Sequence, residues 1–89
     1  MPFQWDEEKN RQVQAERGIC FEDIVIAIHE GKLLDVVKHP NQAKYPDQLL
    51  YIVELMDYVY MVPFVKDRET MFLKTIIPSR KLKKMYKGE

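Results

Sequence analysis

The sequence has one cysteine, Cys20, three glycines and two histidines among its 89 residues. A single cysteine excludes an intrachain disulfide, and its distance along the chain from both histidines does not match the spacing of a metal-binding motif. There is no Gly-rich phosphate loop, no Ser–His–Asp arrangement and no paired-carboxylate signature. The sequence therefore predicts neither a metal nor a cofactor, and Cys20 is expected to be a small buried hydrophobe.

Long apolar runs are also missing. A membrane-spanning helix needs about 20 consecutive apolar residues, and no stretch of the sequence approaches that length. The start of the chain has no basic segment followed by an apolar one, so no signal peptide is expected. Together with the single cysteine, this predicts a cytoplasmic protein that has no membrane partner and folds as one domain spanning residues 1–89.

The net charge of zero hides an uneven distribution. The first 30 residues carry seven acidic and three basic side chains, whereas six bases and one acid follow from Lys74 onward. Such asymmetry favours contact of the basic end with a polyanion or an acidic protein. The alternative is a solvated tail that only keeps the protein soluble.

Hydrophobic periodicity and helix-capping residues give the order of the elements. Asp6 is a helix N-cap and Gly18 a helix stop, and a second apolar stripe begins at Phe21. Helices are predicted at 7–17, 21–31 and 80–87, and short strands at 3–5, 33–37, 49–56, 59–65 and 70–77. The fold class predicted is α+β, with a small antiparallel sheet of three to four strands packed by two N-terminal helices and followed by a short basic C-terminal helix.

Three short motifs carry a resemblance to a known family. They are "WDEEKN" (5–10), "ERGICFEDI" (16–24) and "SRK" (79–81), the last placed before the basic helix. With them the chain resembles the BrnT-type toxins of bacterial type II toxin–antitoxin pairs, which have a RelE-like fold. The residues that fit the family pattern are Trp5, Asp6, Lys9, Gly18, Phe21, Glu22, Ser79, Arg80 and Lys81. The family commonly has Lys-His before the turn glycine, where this chain has Glu16 and Arg17.

The resemblance implies a function and partners. It implies a RelE-like fold and a metal-independent ribonuclease that cleaves RNA and inhibits translation. It also implies a cognate antitoxin that neutralises the enzyme in a hetero-oligomer. Such an enzyme must hold a phosphate, move a proton from the ribose 2′-OH, stabilise negative charge and protonate the leaving 5′-oxygen. Arginine and lysine suit the binding steps, and histidine, tyrosine or a lysine of lowered pKa suits proton transfer.

Candidate site residues follow from these needs. The catalytic candidates are His39, Lys74, Arg80 and Lys81, and the RNA-binding candidates are Arg17, Lys44, Lys83, Lys84 and Tyr86. Each has a plainer alternative: His39 as a turn histidine, Arg17 as a surface residue and the basic helix as a solvated tail. Tyr51, Tyr58 and Tyr60 on the predicted strands either stack on bases or pack against neighbouring strands.

Three functions remain open from the sequence. The first is an RNA-cleaving toxin. The second is a non-catalytic module that binds an antitoxin or acts in regulation, because Arg17 cannot move protons near neutral pH as a histidine can. The third is a structural domain whose basic end serves solubility.

Overall fold

The computed structural model describes residues 2–88. The chain forms three helices and six strands within that range. The helices are α1 (Glu7–Arg17), α2 (Phe21–His29) and α3 (Arg80–Lys87). The strands are β1 (Phe3–Gln4), β2 (Leu33–Lys38), β3 (Gln48–Leu55), β4 (Tyr58–Asp67), β5 (Thr70–Leu73) and β6 (Ile77–Pro78).

The strands form one mixed sheet. Its order is β1-β5-β4-β3-β2, and β6 pairs with β4 beyond the end of β5. All neighbouring pairs are antiparallel except β1 and β5, which are parallel. The α+β class is confirmed, but the sheet of residues 2–88 has six strands where three to four antiparallel strands were predicted. The strand predicted at 3–5 is present as β1, but it pairs in parallel with β5 instead of standing outside the antiparallel sheet. The strand predicted at 70–77 is divided into β5 and β6, which both pair with β4.

Local signals set the ends of α1. The Asp6 carboxylate accepts hydrogen bonds from the backbone N–H of Glu8 at 2.8 Å and of Lys9 at 3.2 Å, as an N-cap does. Gly18 ends the helix with φ at 75°, a left-handed conformation that glycine adopts without a Cβ penalty. The predicted bounds of this helix are therefore confirmed. The second helix ends two residues earlier than predicted, at His29.

One face of the sheet carries the main core, and we call it the α1–α2 face. Val13 of α1 and Phe21, Ile24 and Ala27 of α2 are buried there against alternate residues of the central strands, such as Val53. The alternation follows from the two-residue repeat of a β-strand, which sends neighbouring side chains to opposite faces. Both N-terminal helices thus pack on the same side of the sheet.

The opposite face, which we call the α3 face, carries a much smaller core. Its buried residues are Leu50, Ile52 and Val59, and Leu82 of α3 packs against them. The short C-terminal helix is therefore a cover for the second face of the sheet. No helix in residues 2–88 is long and apolar enough to cross a membrane.

Candidate functional site

Polar contacts fix both ends of α3 on the sheet. The Ser79 hydroxyl accepts a hydrogen bond from the Leu82 N–H at 3.1 Å, and the Ser79 N–H donates to the Val59 carbonyl at 3.0 Å. At the other end Lys87 Nζ lies 2.6 Å from Glu54 and 3.1 Å from Asp57. Ser79 is thus the N-cap of α3, and one lysine of the basic helix, Lys87, holds the other end in place.

Tyr86 is a second anchoring residue at this end. Its hydroxyl donates a hydrogen bond to the Asp35 carboxylate of β2 at 3.1 Å. Burial, followed by this carboxylate contact, raises the pKa of Tyr86. The Lys87 hydrogen bonds in turn lower the pKa of Glu54 and of Asp57, and they raise the pKa of Lys87. Lys87 and Tyr86 therefore attach α3 to β2, β3 and the turn before β4.

Three other cations of α3 point to solvent. Arg80, Lys81 and Lys84 are exposed and form no ion pair with any side chain of residues 2–88. Arg80 and Lys81 stand in the first turn of the helix, which contains no acidic residue. Positive charge at a helix N-terminus opposes the helix dipole, which favours anions there. This arrangement is locally unfavourable and leaves a concentrated positive surface at the start of α3.

A shallow cleft lies beside the start of α3. It has a volume of about 270 Å³ and is lined by Arg17, Tyr58, Tyr60 and Pro78. Lys83 Nζ lies over the Tyr58 ring, 5.2 Å from its centroid. Arg17 and Lys83, which are far apart in sequence, thus both lie at the two tyrosines. Arg80 follows the lining residue Pro78 by two positions.

Arg17 reaches the cleft from the C-terminal end of α1. Its Nε donates a hydrogen bond to the Ile76 carbonyl at 3.0 Å, across 59 positions of sequence. This bond uses one of the five N–H donors of the guanidinium, so the remaining donors are geometrically available for another acceptor. Arg17 therefore connects α1 to Ile76, just before β6. The same side chain also lines the cleft as a cation.

Asn10 sets the direction of α1 and hence the place of Arg17. It is the one buried polar residue of the described chain, 6% exposed. Its side-chain oxygen accepts from the Phe21 N–H, and its amide donates to the Glu22 carboxylate, both at 2.7 Å. The second bond lowers the pKa of Glu22. Sequence reasoning missed this role because an asparagine within a polar helix gives no signal of burial.

His39 and Lys44 lie in a separate place, the loop between β2 and β3. The His39 ring is 4.5 Å from that of Tyr45, and Lys44 Nζ is 5.3 Å from the Tyr45 ring centroid. The backbone N–H of His39 donates to Gln48, whose partner on β4 is Val65. Ser79 is bonded to Val59 on the same strand, and six residues of strand correspond to about 20 Å. The structure does not bring His39 and Lys44 to the start of α3.

Lys74 occupies a third place. It lies 5.1 Å above the Phe72 ring and lines a hollow on the outer part of the sheet with Gln4, Val65 and Thr70. Its N–H donates to the Pro63 carbonyl at 2.8 Å, four residues along β4 from Val59. The nine predicted site residues therefore fall into three groups, which are His39 with Lys44, Lys74 alone, and the remaining six. Arg17, Arg80, Lys81, Lys83 and Lys84 surround one end of the sheet, with Tyr86 nearby as an anchor.

Other candidate groups take structural roles. Tyr51 packs against Phe64 with ring centroids 3.8 Å apart, whereas Tyr58 and Tyr60 stay partly exposed at the cleft. The Cys20 thiol donates to the Asp23 carboxylate, and its pKa is raised, chiefly by burial. A raised pKa disfavours the reactive thiolate. Within residues 2–88, no group of three or more His, Cys, Asp or Glu side chains is placed to hold a metal ion.

Comparisons of the chain with models of protein families, with curated proteins and with solved structures found no match. The resemblance to the BrnT-type toxins thus depends on the three short motifs alone. Two of those motifs, around Arg17 and at Ser79–Lys81, lie at the same end of the sheet, where the cleft and the exposed cations of α3 are found.

Proposed function

We propose that this protein is the toxin of a type II toxin–antitoxin pair, a RelE-like ribonuclease that binds RNA across the cleft and the outer surface of α3. The observation that carries the proposal is the meeting of Arg17 with Tyr58, Tyr60 and the start of α3. Cations bind phosphates without regard to sequence, and aromatic rings stack on unpaired bases. The two kinds of group stand side by side here.

The site residues have distinct roles in this proposal. Arg17 and Arg80 hold the scissile phosphate and stabilise the charge that develops on its oxygens. Lys81 and Lys84 contact neighbouring phosphates. The 2′-oxygen attacks phosphorus while the bond to the 5′-oxygen breaks, so one proton leaves the 2′-OH and one is delivered to the 5′-oxygen. The hydroxyls of Tyr58 and Tyr60 and the Lys83 ammonium are the titratable groups at the cleft that could exchange these protons.

The proposed protein partner is an antitoxin that covers the same positive surface. Arg80, Lys81 and Lys84 have no acidic partner within residues 2–88, so an acidic segment of another chain would find unneutralised charge there. Binding of that segment excludes RNA by competition and gives a hetero-oligomer at rest. Complementary potentials of this kind chiefly speed and direct association.

A second candidate function is a non-catalytic module that binds an antitoxin or RNA. It is favoured by one observation: the residues that line the cleft include no histidine, and His39 lies in the loop at the far end of the sheet. Arginine stays charged throughout the physiological range, so Arg17 cannot serve as a general base. The two candidates predict the same RNA-binding surface and differ in whether RNA is cut.

The test is induced expression in a bacterial strain without the antitoxin, with total RNA examined at early times. Wild type is compared with Arg80→Ala/Lys81→Ala and with a charge-matched control, Arg11→Ala/Lys38→Ala, whose two cations are exposed and outside the cleft. The proposal predicts growth arrest and RNA loss for wild type and control, and neither for the α3 variant. Normal growth with intact RNA in all three favours the non-catalytic module. Equal toxicity of all three removes α3 from the site.

A further inference from the structure

The α1–α2 face has an open region that the helices do not cover. A groove of about 540 Å³ runs across it from Pro2, beside β5, to Val36 on the edge strand β2. Its walls include Leu49 and Met71, and the stacked rings of Tyr51 and Phe64 also line it. The volume lies within the range of small-molecule sites, about 300–1,000 Å³, and the apolar lining is typical of them.

The groove contains a polar group without a partner. Tyr51 is 4% exposed, and its hydroxyl forms no hydrogen bond within residues 2–88. Every fully buried side-chain nitrogen or oxygen of the described chain does have a partner. The Tyr51 hydroxyl must therefore keep its remaining contact with solvent, and the groove that this residue lines supplies that contact. Burial also raises the pKa of Tyr51, so the hydroxyl keeps its proton and can donate it to an acceptor.

The charges of the groove lie at one end, on the hairpin between β4 and β5. Lys66 and Arg68 line the groove there together with Glu69, which leaves a net positive charge. Arg68 has φ at 58°, an unusual conformation for a non-glycine residue that fixes where its side chain leaves the turn. Neither cation forms an ion pair with residues 2–88. The groove thus has an apolar lining, one hydroxyl donor from Tyr51 and a positively charged end at Lys66 and Arg68.

We infer that this groove binds a small amphiphilic carboxylate of the medium-chain fatty-acid class. The apolar chain lies on the Tyr51 and Phe64 rings between Leu49 and Met71, and the carboxylate is held by Lys66 and Arg68. The Tyr51 hydroxyl donates to the carboxylate or to a water bound to it. The site lies on the opposite face of the sheet from α3, and its lining shares no residue with the cleft at Arg17.

The size and charge of the groove favour this occupant over a protein surface. Specific protein–protein interfaces involve about 20–30 residues on each partner, whereas ten residues line this groove. Its only polar groups are grouped at one end and on the floor, which matches a ligand with one charged head and one apolar body. A peptide that ends in an apolar residue has related chemistry, and it is one arm of the test.

The experiment is a titration of the ¹⁵N-labelled full-length protein with sodium decanoate below its micelle concentration, followed by NMR and calorimetry. The probes compared with it are decanol, which has the same chain without charge, and an acetylated tripeptide ending in leucine. Decanoate is expected to shift the amide signals of β3, β4 and β5 around Tyr51, Phe64 and Met71. It should bind about tenfold more tightly than decanol, because a hydrogen bond to a charged group is worth about one decade or more.

Variants sharpen the test without threatening the fold. Lys66→Gln/Arg68→Gln changes exposed side chains and should weaken decanoate binding about fivefold, the usual scale of two exposed ion pairs. Tyr51→Phe keeps the ring stack and should lower the preference for decanoate over decanol by about twofold, the part that the two cations leave. Arg11→Gln, on the outer side of α1, is the matched control and should change nothing. The inference is overturned by signal shifts outside the groove, by equal binding of decanoate and decanol, or by binding of the tripeptide alone.

Discussion

The two faces of the sheet carry cores of very different size. The α1–α2 face buries residues from both helices and from the strands β3, β4 and β5, including Phe21, Ile24 and Val53. The α3 face buries only Leu50, Ile52 and Val59 beneath Leu82. The first face therefore supplies most of the stability, since hydrophobic stabilisation follows the apolar area removed from water. The second face is instead covered by α3, which is held mainly by polar contacts and presents Arg80, Lys81 and Lys84 to solvent.

The largest expected effect is the loss of stability when a side chain of the main core is truncated. Phe21 is fully buried and stacks on Trp5, with ring centroids 5.6 Å apart. Phe21→Ala should lower the free energy of unfolding by about 3–5 kcal/mol, as a large-to-small change does in a packed core. Urea denaturation followed by circular dichroism measures this. If the alanine variant does not fold, Phe21→Leu is the milder substitution to measure. A smaller loss of unfolding free energy for Phe21→Ala than for Leu82→Ala would contradict the comparison of the two faces.

The next effect concerns Asn10, which joins α1 to α2 on the same face. Asn10→Ala leaves the Phe21 N–H without its acceptor and should lower the free energy of unfolding by about 1–3 kcal/mol. Because Asn10 sets the direction of α1, the variant should also weaken RNA binding through Arg17. Gln14→Ala, on the exposed part of the same helix, is the control. Equal stability of the two variants would show that the buried amide is not the junction between the helices.

A smaller effect is expected on the α3 face. Leu82 is only partly buried, so Leu82→Ala should cost about 1–2 kcal/mol. The loss should be local: amide hydrogen exchange should speed up in α3 while α1, α2 and the central strands keep their protection. Uniform acceleration across the whole chain would mean that α3 is an integral part of one cooperative core.

The smallest expected effect is a pH dependence in the stability of the C-terminal end of α3. Hydrogen bonds from Lys87 lower the pKa of Glu54 and Asp57 from their ordinary values of 4.5 and 3.8. A lowered pKa means that the ion pairs stabilise the helix end above those values and that this contribution is lost as the pH falls through the lowered ones. The protection factors of the amides at residues 84–87, which correct for the slower intrinsic exchange in acid, should therefore fall as the pH is lowered. Lys87→Met should remove that pH dependence, and an unchanged acid response in this variant would contradict the assignment.

Much of the secondary structure could be predicted because its signals are local. Asp6 and Gly18 mark α1, and Ser79 marks α3, through contacts within a few residues. The parallel pairing of Phe3 with Met71 could not be predicted, since two-residue strands have no periodicity and their partner is far along the chain. Pro63 cannot donate a hydrogen bond to a neighbouring strand, and a proline within a strand is usual at an edge or a bulge. Pro63 lies in β4, where its carbonyl accepts from Lys74 in the gap between β5 and β6.

The candidate site shows the same limit. Composition indicated a positive surface near the C-terminus, and α3 presents Arg80, Lys81 and Lys84 to solvent. The sequence could not separate these from Lys87, which is used to anchor the helix, because that depends on Glu54 and Asp57 lying beneath it. It also could not place Arg17 beside Tyr58, or His39 at the far end of the sheet, since both depend on the register of β2, β3 and β4.

The most direct test of the proposed site is RNA binding and cleavage by purified protein, with a labelled single-stranded RNA over a range of salt concentrations. Wild type is compared with Arg17→Gln and His39→Gln, and circular dichroism confirms that each variant is folded. The account predicts that Arg17→Gln reduces the dependence of binding on salt by about one phosphate contact and lowers any cleavage, while His39→Gln leaves both unchanged. Loss of activity in His39→Gln with normal activity in Arg17→Gln would move the site to the β2–β3 loop and contradict the account.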